Sequence, residues 1–153
     1  MKTTNKLLTL IIIFSSLFSL QSQNKFSKRK IENLKEEVSQ LVEDDKKMTQ
    51  VMIDKVFSFG ELGFQEFETS KYLGKILEEN GFDVEYQISG IPTSWLATWS
   101  NGEGGPTIAI GSDFDGVPST SQYPGVAYEK PVVEGAPGHG EGHNIGLPIV
   151  ITS

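Results

Sequence analysis

A chain of 153 residues with 20 acidic and 13 basic side chains carries a formal charge of −7, and with 37% apolar residues it can bury one modest core. So acidic a surface repels nucleic acid and anionic membranes, and neither is expected as a partner. With no cysteine, a disulfide framework and cysteine-linked lipid are both excluded, which leaves core packing or a bound metal to stabilise the fold.

Residues 1–22 read as a secretory signal peptide. Lys2 and Lys6 give a basic start, Leu7 to Leu20 is an apolar run of 14 residues, and the small or polar Ser19, Gln21 and Ser22 follow. A membrane anchor is the rival reading, but a spanning helix needs roughly 20 apolar residues, and Thr9, Ser15, Ser16 and Ser19 interrupt this shorter run. An exported protein, periplasmic or secreted, is therefore expected, without a stable membrane anchor. Losing Lys2 and Lys6 takes the formal charge from −7 to −9 over residues 23–153.

From Lys28 to about Phe57, apolar residues at Ile31, Leu34, Val38, Leu41, Val42, Met48, Met52, Ile53 and Val56 recur close to the helical period, predicting one long amphipathic helix with a break near Asp44 and Asp45. Its charged residues read as a solvated outer face. A turn is expected over residues 59–64. Phe67, Leu73, Ile76 and Leu77 mark a second helix, ending at Asn80-Gly81, where glycine suits a left-handed cap. Phe82 to Ile88 alternates in the manner of a half-buried strand, and Trp95 to Trp99 and Thr107 to Ile110 read as two more strands joined by a glycine-rich turn at 101–106. That turn opens into a strand-like run rather than a helix, which argues against a phosphate cradle.

Two loops carry the chemistry. Asp113 and Asp115 stand just beyond the expected third strand, where open α/β sheets place their ligands. Gly135-Ala-Pro-Gly-His-Gly-Glu-Gly-His-Asn144 then adds two imidazoles and a carboxylate on backbone that can fold tightly around an ion. His143 is the strongest ligand candidate, because imidazole is the commonest protein donor to such metals. For His139 two roles stay open, support of the ligands from behind or a place in a flexible loop. Asp113 likewise is either a supporting acceptor or a strand-end cap.

Glu61-Leu-Gly-Phe-Gln-Glu66, Asn80-Gly-Phe82, Gly105-Pro-Thr-Ile108, Asp113-Phe-Asp-Gly-Val-Pro118 and Gly138-His-Gly-Glu-Gly-His-Asn144 occur in the order and approximate spacing of the co-catalytic metal amidohydrolases and peptidases, the aminoacylase and carboxypeptidase type. The chain from about residue 30 onward resembles most the p-aminobenzoyl-glutamate hydrolase branch. The resemblance implies an α/β fold, the amino-terminal part of a zinc-exopeptidase-like catalytic domain with a mixed central sheet flanked by helices, over residues 23–153. An inserted lid or dimerisation domain would lie further along, and the full-length form would be a homodimer. In the wider family a His-x-Asp-x-x-Pro segment supplies a metal-binding His and an orienting Asp. Here Asp115 and Pro118 match, so Asp115 inherits the orienting role, while Asp113 stands where the His would be. The branch binds metal through Cys-Gly-His; the matching Glu141, Gly142 and His143 make Glu141 and His143 the implied ligands. A carboxylate in place of a thiolate shifts preference from Zn²⁺ toward Mn²⁺ or Co²⁺.

The implied reaction is hydrolysis of an amide in an N-acyl amino acid, a peptide or a p-aminobenzoyl-glutamate-like substrate. Two divalent ions polarise the carbonyl and acidify a water, whose proton a glutamate accepts. The resemblance places that glutamate and the remaining ligands after the Gly-His-Asn segment, and it places Glu61, Glu66 and Glu68 away from the metals. Residues 146–153 are apolar and uncapped, so a fragment, inactive by itself, is expected; the alternative is a short secreted metal- or ligand-binding module without catalysis.

Overall fold

The computed structural model describes residues 27–153, so residues 1–22, expected from the sequence to be a signal peptide, lie outside the described residues. The described residues divide into two units, 27–40 and 41–153. Helix α1, Lys28–Asp44, includes the boundary between them and has no buried residue. The helix itself follows the predicted periodicity, but its apolar stripe at Ile31, Leu34, Val38, Leu41 and Val42 is exposed. Its Lys35 and Glu32 pair at 3.0 Å on the solvated face, an i,i+3 contact of the kind that supports a helix only slightly.

The break comes at Asp45, after which α2 runs Lys46–Phe59. Gly60 closes α2 in the left-handed conformation, φ 53°, which a side chain would strain. Helix α3, Phe67–Glu79, ends at Asn80 before Gly81, φ 86°, as the sequence predicts. The start of α3 is capped from a distance: the Glu61 carboxylate accepts hydrogen bonds from the backbone N–H groups of Glu68 (3.0 Å) and Thr69 (2.9 Å) and from Thr69 Oγ1 (2.8 Å). These N–H groups have no partner inside the helix, and a carboxylate there is further favoured by the helix dipole.

Strands β1, Asp83–Tyr86, and β2, Trp95–Thr98, form an antiparallel pair in which Val84 faces Ala97 and Tyr86 faces Trp95. A short 3₁₀ turn, Ile88–Gly90, lies between them and takes Ile88 out of the expected strand. Helices and strands together fit an α/β class, but the sheet of the described residues is this antiparallel pair rather than a mixed central sheet. The expected third strand is absent: residues 107–110 join no sheet, and Ile108 is 79% exposed. Residues 101–106 form an irregular loop, in which Gly102, Gly104 and Gly105 take positive φ, and it does not bring the next segment into register with β2.

The last helix, α4, covers His143–Ile151. Met52 and Val56 of α2, Leu73 of α3 and Leu147 of α4 form the buried core, with Tyr72, Ile76, Trp95, Phe114 and Val150 packed around it. Thr49 Oγ1 ties α2 to the end of α4 through Thr152 Oγ1 at 3.0 Å. Gly74 gives α3 its close approach to β1, because a Cβ there would overlap the Tyr86 side chain.

Candidate metal centre

Three loop segments are laced together beneath the site. Gly116 N–H donates to Glu61 O (2.6 Å), Val117 N–H to Gly138 O (2.8 Å) and Gly138 N–H to Val117 O (3.1 Å). Thr120 Oγ1 lies 2.8 Å from both Val117 O and Gly138 O. A Cβ on Gly138 would stand 2.5 Å from Thr120 O, so glycine is what permits the approach. This lacing fixes the two predicted ligand loops side by side.

Within the first loop, Phe114 stacks on Trp95 of β2, ring centroids 6.3 Å apart and planes 10° from parallel. Anchoring the aromatic fixes the stretch of backbone that carries its neighbours Asp113 and Asp115. The second loop ends at Gly142, whose φ of 87° turns the chain into α4, so that His143 opens the helix with its ring directed at the aspartates.

His143 Nδ1 lies 2.8 Å from Asp115 Oδ1 and 3.2 Å from Asp115 O, while Nε2 faces Asp113 Oδ1 and Glu141 Oε2, each at 3.4 Å. One donor atom from each of Asp113, Asp115 and His143 lies within 4.8 Å of the other two. Burial is the largest single influence on His143 and lowers its pKa, but the Asp115 hydrogen bond and the charges of Asp113 and Asp115 together outweigh it, so the imidazole pKa is raised.

This donor set can hold a divalent metal. Two carboxylates and an imidazole suit borderline ions such as Zn²⁺, Mn²⁺ and Co²⁺. Tetrahedral bonds of about 2.1 Å place adjacent ligand atoms about 3.4 Å apart, the spacing His143 Nε2 keeps to both Asp113 and Glu141. With Nδ1–H donating to Asp115, the Nε2 lone pair is the one left for an ion, the usual way a carboxylate orients a ligating histidine.

The structure thus brings His143 together with Asp113 and Asp115. Glu141 is mostly exposed and reaches only His143 among them. His139 is outside this ligand grouping, yet close enough for Asp115 and His143 to influence its pKa. Its Nε2 donates to Val56 O at 3.0 Å, at the end of α2, and its Nδ1 is buried without a partner among the described residues. Burial, the largest influence, holds its pKa below the ordinary value. Its side chain is therefore part of the scaffold behind the site, not a loose loop residue.

Glu66 is a residue that sequence reasoning did not single out as a site candidate, and it joins no ligand grouping among the described residues. It is 7% exposed, takes a 2.6 Å hydrogen bond from Thr93 Oγ1, and lines a cavity of about 320 Å³ together with Asp113 and Asp115. The nearest sequence signal is its place in Glu61-Leu-Gly-Phe-Gln-Glu66, close to a glycine that leaves room for a neighbour.

Among the described residues, no helix is long and apolar enough to cross a membrane. No family model matches the chain, and no solved structure matches it. Two curated proteins do. It is 32% identical over 108 residues, 71% of this chain and 22% of the relative, to a subunit of p-aminobenzoyl-glutamate hydrolase from Escherichia coli (strain K12). Over 64 residues, 42% of this chain and 16% of the relative, it is 31% identical to thermostable carboxypeptidase 1 of Saccharolobus solfataricus. The chain therefore spans about a fifth of the length of the relatives it matches. With an amidohydrolase and a carboxypeptidase as its relatives, and with Asp113, Asp115 and His143 brought together, the matched part of the chain is similar to the amidohydrolase and peptidase family.

Proposed function

We propose that this chain carries one metal-anchoring cluster of an exported, metal-dependent amidohydrolase with a zinc-exopeptidase-like catalytic domain. The observation that supports it most directly is the convergence of Asp113, Asp115 and His143 from two loops distant in sequence. His143 would hold the ion through Nε2, with Asp113 and Glu141 as its carboxylate partners, and Asp115 would orient the imidazole through Nδ1–H. The bound metal would polarise the scissile carbonyl of an N-acyl amino acid, a peptide or a p-aminobenzoyl-glutamate-like amide and acidify a water. Zn²⁺ is the expected ion, with Mn²⁺ and Co²⁺ favoured more than at a thiolate site. One of the two relatives is a subunit of a hydrolase, in keeping with assembly into a larger enzyme, and a homodimer is the form we assign it. Export with loss of residues 1–22 belongs to this reading and is checked by amino-terminal sequencing of the secreted protein.

Titration of the purified protein with Mn²⁺ and Zn²⁺, followed by calorimetry and Mn²⁺ electron paramagnetic resonance, tests the site. His143→Ala is expected to weaken binding by at least tenfold, and Glu141→Gln by less, since Glu141 is mostly exposed. Equal affinity in wild type and His143→Ala would overturn the assignment. Metal competes with protons for His143, whose pKa is raised, so affinity should begin to fall while the pH is still above 6.5. The 153 residues alone are expected to bind metal without hydrolysing acylated amino acids or p-aminobenzoyl-glutamate. The cluster supplies donors for one ion, whereas the implied chemistry uses two and a further glutamate. Metal-dependent turnover copurifying with the chain would refute that.

A further inference from the structure

We propose that the cavity beside the cluster is a subsite for a cationic nitrogen group of the substrate, an alkylammonium or guanidinium, and that Glu66 selects it. This rests on the amidohydrolase reading and adds a substrate class to it. The 320 Å³ cavity is of a size that takes a side chain or small ligand. Three carboxylates, those of Glu66, Asp113 and Asp115, line it, and no Lys, Arg or His does. Glu66 is 7% exposed; its Oε2 is engaged by Thr93, while its Oε1 has no hydrogen-bond partner among the described residues. Oε1 thus remains free to accept from a bound cation, and the cavity lining itself supplies none.

Gly63 keeps the space between the acidic walls open. A Cβ there would lie 3.5 Å from Asp115 Oδ2 and 4.0 Å from Glu66 Oε1, so the two oxygens border one gap. Asp115 spends Oδ1 on His143 and turns Oδ2 toward that gap. Trp95 and Phe114 add aromatic surface to the wall, fit to cover the apolar stem of a lysine- or arginine-like group whose charged head meets the carboxylates. A metal ion is not the occupant the geometry favours, because among the described residues Glu66 takes part in no grouping of three close ligand atoms.

The test uses the full chain and three probes of matched shape: Nα-acetyl-lysine amide, Nα-acetyl-arginine amide and the neutral Nα-acetyl-norleucine amide. Binding is followed by calorimetry and saturation-transfer NMR, with Mn²⁺ affinity measured on the same samples. Wild type is expected to bind at least one cationic probe at least tenfold more tightly than the norleucine probe, and the tighter of the two tells ammonium from guanidinium. Glu66→Gln, which can still accept from Thr93, should reduce that preference to near unity while Mn²⁺ affinity stays unchanged. Gly63→Ala, whose methyl makes only ordinary contacts, should weaken the cationic probe several-fold with the same thermal midpoint, guarding against misfolding of the first variant. Equal binding of charged and neutral probes by wild type, or a preference that survives in Glu66→Gln, overturns the proposal. Mn²⁺ binding reports separately on the metal cluster, so the two readings fail by different measurements.

Discussion

His139 and His143 sit four residues apart, yet the fold gives their protons opposite consequences. His143, with its raised pKa, holds a proton more tightly folded than unfolded. Its contribution to stability is complete below the unfolded value of 6.5 and is lost as pH rises through the folded one. His139, with its lowered pKa, favours the neutral form more strongly folded than unfolded. Its contribution is present above 6.5 and is lost as pH falls through the folded value. Thermal unfolding of the metal-free protein between pH 5 and 8 should therefore lose stability at both ends. His143→Gln is expected to remove the loss on the alkaline side. His139→Gln, which can still donate to Val56 O, should remove the loss on the acid side. Unchanged pH profiles in both variants would show that neither histidine is coupled to folding in this way.

At the scale of elements, the site depends on how helix ends and loops are tied. Glu61 serves α3 as a cap five residues ahead of Glu66, the position where a cap normally stands and which here makes no side-chain cap bond. Glu61→Ala should destabilise the protein by about 1 kcal/mol, within the usual range for cap removal, measured by denaturant unfolding. Glu61→Gln keeps the acceptor and should lose less. Gly138→Ala is expected to be more damaging, because the new Cβ meets backbone at Thr120 and forces the ligand loops apart. It should lower metal affinity as well as stability, whereas Glu61→Ala should leave metal affinity nearly intact.

At the scale of the whole molecule, apolar surface is distributed unevenly. The core around Met52, Val56, Leu73 and Leu147 is small, while α1 exposes its apolar stripe and Ile108 and Ile110 lie open. Among the described residues, the two-stranded sheet also leaves both its edges unpaired. Association is the expected outcome despite the formal charge of −7. Size-exclusion chromatography with light scattering should find oligomers whose mass falls in the double variant Leu34→Lys, Val38→Lys. A monomeric wild type with one sharp cooperative transition would contradict this.

Local sequence was enough for α1, α2 and α3 and for the ends at Asp45 and Asn80, because apolar period and glycine conformation act within a few residues. It also singled out Asp113, Asp115, Glu141 and His143, whose residue types advertise their chemistry. It could not decide that α1 leaves its apolar face exposed, since periodicity says that a face exists but not what covers it. Nor could it decide that residues 107–110 pair with no strand, because an alternating segment becomes a strand only when a neighbour accepts its hydrogen bonds. The roles of His139 at the end of α2 and of Glu66 beside Thr93 belong to the tertiary structure alone. Their partners lie 83 and 27 residues away, and only packing brings such groups into contact.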